Sequence, residues 1–154
     1  MHNLLEILSQ IPDPEIPVIN IVELGIVRDA HMTSENEVEI VITPTYSACP
    51  AMFNIEEDII KLFREKGIAA KVITKISPVW TTDWMTEEAR EKLRVYGITP
   101  PEKGADKDHL EIRKKCPRCG SSNTMQISRF GSTLCKASYQ CSDCLEPFDY
   151  FKCH

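Results

Sequence analysis

Two short cysteine knuckles constrain this chain of 154 residues more than any other feature. Cys116-Pro117-Arg118-Cys119 and Cys141-Ser142-Asp143-Cys144 are separated by 21 residues, 120–140. Two residues between paired cysteines let both sulfurs turn toward one ion, and two such turns complete a tetrahedral four-sulfur shell suited to zinc. Four unrelated free thiols would not account for that spacing. A thioredoxin-like redox pair needs a flanking βαβ pattern, which this region lacks. Gly120 offers the backbone freedom wanted directly after the first knuckle. Segments 124–130, 135–140 and 147–152 read as three short strands between and after the knuckles, so a zinc ribbon is expected over residues 112–154. A unit of that size buries too little surface to fold unaided, so the metal must contribute much of its stability. With Cys116, Cys119, Cys141 and Cys144 filling all four positions, the zinc is expected to be structural rather than catalytic.

Three thiols lie outside that set. Cys135 and Cys153 would face each other if the last two strands form a hairpin, giving a second thiol site with His154 as a third donor. The alternative is an incidental pair beside a fraying chain end. The third, Cys49, is the one cysteine remote from the ribbon.

Charge divides the chain in the same way. Residues 1–101 hold 9 basic and 16 acidic residues, and residues 102–154 hold 9 and 7, within a formal net charge of -5. An acidic protein of this kind is a poor nucleic-acid binder, and no apolar run approaches the roughly 20 residues of a membrane span. The opening residues lack a basic stretch followed by an apolar one. The expectation is a soluble cytoplasmic protein whose cysteines serve metal or thiol chemistry rather than disulfides. Pro100-Pro101 followed by Gly104 and alternating charges suits neither helix nor strand. The expected domains are therefore 1–98, a linker at 99–111, and the ribbon at 112–154. No glycine-rich phosphate loop occurs.

In the first domain, Leu4, Leu5, Ile7, Leu8 and Ile11 have helical spacing up to Pro12. Segments 26–33 and 38–43 alternate as a hairpin with one buried face, and Met52, Ile55, Ile59, Leu62 and Phe63 mark a helix over 50–66 that Gly67 stops. A third strand at 68–76 and a helix from Thr86 to near Gly97 follow. Helix, strand, strand, helix, strand, helix is the order of a small α+β domain, in which parallel pairing of the third strand would use the long helix as its crossover.

Cys49 stands just before Pro50, the expected first position of that long helix. Unpaired N–H groups at a helix start stabilise a thiolate, the form that binds metal or attacks electrophiles. A small buried hydrophobe at a strand-to-helix turn is the other reading of the same position. Asp13-Pro14-Glu15 likewise reads as a proline-fixed loop with a capping aspartate, and Thr45 as a turn residue. No histidine lies near Cys49 in sequence to suggest a Cys/His hydrolase.

Together, Asp13-Pro14-Glu15, Leu24-Gly25-Ile26-Val27 and Thr45 followed by Cys49-Pro50 resemble the metal-sulfur cluster assembly domain over about the first 80 residues. The resemblance implies that Asp13, Thr45 and Cys49 are functional positions, with Cys49 a ligand or transfer thiol for a transient iron-sulfur cluster or iron. One cysteine cannot complete a four-ligand cluster site, so any cluster there is shared with another protomer, a client or a small thiol.

Over nearly the whole chain, that domain followed by Trp80-Thr81-Thr82-Asp83-Trp84, the knuckles, Phe130-Gly131-Ser132-Thr133, and Phe148-Asp149-Tyr150-Phe151 is similar to the PaaD family of phenylacetate degradation. The family is also described as PaaJ, a component of the phenylacetyl-CoA oxygenase or epoxidase. The resemblance implies partners among the oxygenase components, especially an iron-sulfur reductase, with a homodimer also among the expected assemblies. The chain has no paired Glu-x-x-His helices for a di-iron site and no flavin or nicotinamide fingerprint. It is therefore expected to be an accessory protein and not an enzyme, maturing or inserting iron or a cluster. The alternative is a structural or adaptor component carrying only structural zinc. Trp80 and Trp84 read either as core plugs or as interface anchors.

Overall fold

The protein's structure, a computed structural model, describes residues 2–45, 51–100, 114–131 and 136–151. It divides into two units, Met1–Thr86 and Glu87–His154.

The first unit begins with α1 (His2–Leu8), which buries Leu4 and Leu8 before the prolines end it. Strands β1 (Val27–Ser34) and β2 (Glu37–Ile42) pair antiparallel, and β3 (Ala69–Thr74) joins β2 in parallel, from Glu37 opposite Ala69 to Ile42 opposite Thr74. The crossover that parallel pairing demands is α2 (Ala51–Glu65). Its Met52, Ile55, Ile59 and Phe63 form the buried stripe the periodicity predicts. Gly67, at φ 75°, lets the Ile68 N–H turn back onto the Phe63 carbonyl and close the helix. Central β2 buries Val38, Ile40, Val41 and Ile42. Edge strand β1 departs from the expected alternation: only Ala30 is fully buried, and its pairing carries two register shifts.

Between α1 and β1, Asn20 and Glu23 form a reciprocal cap. Asn20 Oδ1 accepts the Val22 and Glu23 N–H groups at 3.0 and 2.9 Å, and the Asn20 N–H donates to Glu23 Oε2 at 3.1 Å. This tight turn delivers Leu24 and Gly25 to Trp80 and Trp84. Trp80 is 1% exposed, and its indole N–H donates to the Leu24 carbonyl at 3.0 Å. Gly25 has φ 80°, and a Cβ there would lie 2.7 Å from both the Trp84 Cβ and its carbonyl oxygen. Both a left-handed backbone and a close approach thus select glycine. Trp80 is a core plug, whereas half-buried Trp84 carries the Arg28 guanidinium 3.6 Å above its ring.

The second unit contains α3 (Glu87–Tyr96), β4 (Ile98–Thr99), β5 (Thr124–Ser128), β6 (Lys136–Cys141) and β7 (Pro147–Phe151). Its sheet runs β4-β7-β6-β5, antiparallel except for the parallel β4–β7 pair. Sequence pattern alone puts α3 in the first domain and residue 99 in a linker. The second unit instead takes up α3, and Thr99 pairs with Tyr150 and donates its hydroxyl to the Lys115 carbonyl at 2.7 Å. Two residues are too short to read as a strand from pattern alone.

Candidate metal centre

Each knuckle is a hydrogen-bonded turn that aims two sulfurs at one point. In the first, the Gly120 N–H donates to the Cys116 carbonyl at 2.9 Å and the Cys119 N–H approaches Cys116 Sγ at 3.5 Å. In the second, the Cys144 N–H approaches Cys141 Sγ at 3.5 Å, and the Cys141 N–H donates to the Glu146 carbonyl at 3.0 Å. Gly120 at φ 74° and Leu145 at φ 63° occupy equivalent positions just after the two knuckles.

The β5–β6 ladder sets one knuckle against the other, pairing Thr124 with Cys141. Cys116 Sγ lies 3.7 Å from Cys144 Sγ, Cys119 Sγ lies 3.6 Å from Cys141 Sγ, and all four sulfurs fall within 4.8 Å of one another. Four sulfurs at about 2.3 Å from a tetrahedral zinc stand roughly 3.8 Å apart, so the cluster has the dimensions of a zinc shell. Cys116 and Cys141 are buried beside Phe148, with Tyr139 and Cys144 packed on them. Zinc in this shell would be held by the four cysteines alone, supplying stability without an open coordination position.

The thiols are already unequal without an ion. At Cys141, the Cys144 backbone N–H and then that of Asp143 favour the thiolate over the cost of burial, and the thiol is lowered to about 7. At Cys119, the Ser121 backbone N–H favours the thiolate, but burial and the three neighbouring sulfurs outweigh it, and the thiol is pushed up to about 12. One anion forms readily in this cluster and further ones repel it.

Side chains that carry no motif of their own tie the knuckles together. Asp143 accepts from the Ser121 hydroxyl and, at 3.1 Å, from Asn123 Nδ2; the Ser121 bond, then that of Asn123, holds its carboxyl below the ordinary range. Arg118 and Glu146 form a 2.6 Å ion pair between the same two turns. Ser121 and Asn123, two and four residues after the first knuckle, are the signal in the sequence that points to this clasp.

The structure brings together the four knuckle cysteines. In the first unit, Asp13 is 6% exposed, and its Oδ1 accepts the Glu15 and Ile16 N–H groups at 2.9 and 2.8 Å, which makes it the cap of the proline turn. Thr45 is 7% exposed, just beyond β2. Cys49, Cys135, Cys153 and His154 lie outside the described residues.

Family models match both parts of the chain: an iron-sulfur cluster assembly protein over residues 2–76 and a PaaD zinc beta ribbon domain over residues 99–152. An Escherichia coli protein, named as the putative D component of a 1,2-phenylacetyl-CoA epoxidase, is 50% identical over 99% of this chain and 93% of its own length. The chain belongs to the PaaD family. An Fe-S protein maturation auxiliary factor of Porphyromonas gingivalis is 33% identical to it, over 60% of this chain and 89% of that protein. The solved structure of a domain of unknown function, DUF59, from Bacillus anthracis is 27% identical, with a TM-score of 0.55 over 60% of this chain and 89% of its own. Thus the PaaD architecture joins an iron-sulfur assembly fold to a four-cysteine ribbon, as the resemblance implied. Among the described residues, no helix is long and apolar enough to cross a membrane.

Proposed function

We propose that this protein is a non-catalytic accessory factor of a phenylacetyl-CoA oxygenase system in the cytoplasm, which passes iron or an iron-sulfur cluster to an oxygenase component, with the iron-sulfur reductase as client. The observation that carries this reading is one chain related both to an epoxidase component over its whole length and to an Fe-S maturation factor over its first unit. A saturated four-thiolate centre leaves no place for an acceptor at the ribbon, which directs transfer to the first unit. There Cys49 is the cargo ligand, with Asp13 and Thr45 shaping its surroundings, and the ribbon helps dock the client.

Transfer is ligand exchange. Each iron–sulfur bond to Cys49 that breaks is replaced by one to a client cysteine, and the proton displaced from the client thiol goes to the released Cys49 sulfur, with no change of oxidation state. Because one cysteine leaves the cargo under-ligated, the remaining ligands come from a second copy, the client or a small thiol.

Anaerobic reconstitution tests this. The expected result is a visible iron-sulfur band on this protein that depends on Cys49 and passes to the metal-free reductase, separable after mixing, as the reductase becomes active. A Cys49→Ala protein that activates the reductase as well as wild type would instead identify an adaptor carrying only zinc.

A further inference from the structure

Three large apolar side chains stand exposed toward the end of the first unit at which β2 and β3 finish. Phe53, in the first turn of α2, is 75% exposed, and Ile76 and Val79, just past the end of β3, are each 61% exposed. Burying such side chains is a main source of binding affinity, so three in the open toward one end of a small α+β unit point to a partner.

The topology brings them to one end. Parallel β2 and β3 finish at the same edge of the sheet, and the Lys75 N–H extends their pairing by donating to the Ile42 carbonyl at 2.9 Å. Ile76 therefore comes out abreast of the chain leaving β2 toward Thr45. On the other side, Thr74 donates its hydroxyl to Glu56 Oε1 at 2.7 Å, and Phe53 sits one helical turn before Glu56. Val79 precedes Trp80, which the Leu24 carbonyl anchors. Phe53 and the Ile76–Val79 stretch thus lie at the end of the unit that holds Thr45 and Ala51, the residues between which Cys49 falls in the sequence.

Charge selects the occupant. Glu56 and Glu57 stand one helical turn from Phe53 on α2 and outnumber Lys75 beside Ile76, and the unit of residues 1–86 holds 13 acidic against 6 basic residues. A second copy would set one strongly acidic unit against another. We infer that Phe53, Ile76 and Val79 form the docking surface for a client protein whose face presents apolar side chains ringed by lysine and arginine. Apolar anchors supply the affinity, and the acidic rim supplies the encounter rate and excludes acidic surfaces. This inference rests on the transfer reading above and names the partner chemistry of that same end of the molecule.

The test is calorimetric binding of the full chain to the purified reductase prepared without its cluster, at low and at high salt. Wild type is expected to bind, more weakly as salt rises. Phe53→Asp and Ile76→Asp should each weaken binding by about 30-fold or more while leaving thermal unfolding unchanged. Glu57→Lys should weaken binding and flatten its salt dependence. Full affinity in both apolar variants, or absence of wild-type binding, overturns the inference. So does sedimentation showing a wild-type dimer that Phe53→Asp dissociates, since the occupant would then be a second copy. Cluster transfer by Cys49→Ala, measured in parallel, would sink the transfer reading while leaving a measured docking surface in place.

Discussion

Leu145 holds a left-handed backbone, φ 63°, at the position where the first knuckle uses Gly120 at φ 74°. A side chain in that region costs roughly 1 kcal/mol or more, and Leu145, 67% exposed, gains little burial in return. Leu145→Gly should therefore raise the stability of the zinc-loaded protein by about 1 kcal/mol, and Gly120→Ala should lower it by a similar amount. Urea unfolding of the two variants gives the comparison; a destabilising Leu145→Gly would mean the leucine has a packing role. The four sulfurs are readable in the sequence at this scale because knuckle spacing is local chemistry. Leu145 is not, since glycine is the residue that advertises a positive φ. Asp13 and Asn20 show the same limit: both have cap chemistry, but only the structure shows which N–H groups they accept.

Among the elements, α2, α3 and the β1–β2 hairpin are legible because each carries its periodicity and its stop signal within a few residues. The irregular exposure of edge strand β1 and the existence of two-residue β4 are not, because the first comes with two register shifts at the sheet edge and the second depends on a strand far along the chain, Pro147–Phe151. The knuckle pair depends on distant neighbours too. Asp143, accepting from Ser121 and Asn123, spans the two turns on a solvent-exposed face. Asp143→Ala should leave all four ligands in place yet loosen their registration, so zinc release to a chelating dye should quicken severalfold with stoichiometry still one ion per chain. An unchanged release rate would show that Asp143 only decorates the surface.

For the molecule as a whole, two units with separate cores predict separate responses to metal removal. A strong chelator should unfold the ribbon sheet and spare the helices and strands of residues 2–86, leaving part of the circular dichroism and a single thermal transition. Retention of the β5–β6–β7 signal in the metal-free chain would refute a structural role for zinc. Proton linkage gives a second measure. In the assembled cluster Cys141, lowered to about 7, is partly ionised at neutral pH before zinc arrives, and it takes up its proton as pH falls through about 7. Cys119, pushed up to about 12, and Cys144, also raised (the favourable Glu146 backbone N–H is outweighed by burial and neighbouring sulfurs), still carry protons at neutral pH. Zinc binding at pH 7 should then release at least about two protons per ion, measurable by calorimetry in buffers of different ionisation enthalpy, and affinity should fall steeply as the solution is acidified.

The bond from Thr99 to the Lys115 carbonyl and the pairing of β4 with β7 change what the proline-rich segment between them joins. Both flanks of that segment, Thr99 and Lys115, lie in the second unit and are joined by that bond, so the segment begins and ends within one unit. A protease cutting there would leave two pieces held together by the β4–β7 pairing and the Thr99 bond, since all four zinc ligands lie on the C-terminal side of the cut. The covalent join between the units is instead the chain at Thr86 and Glu87, ahead of α3.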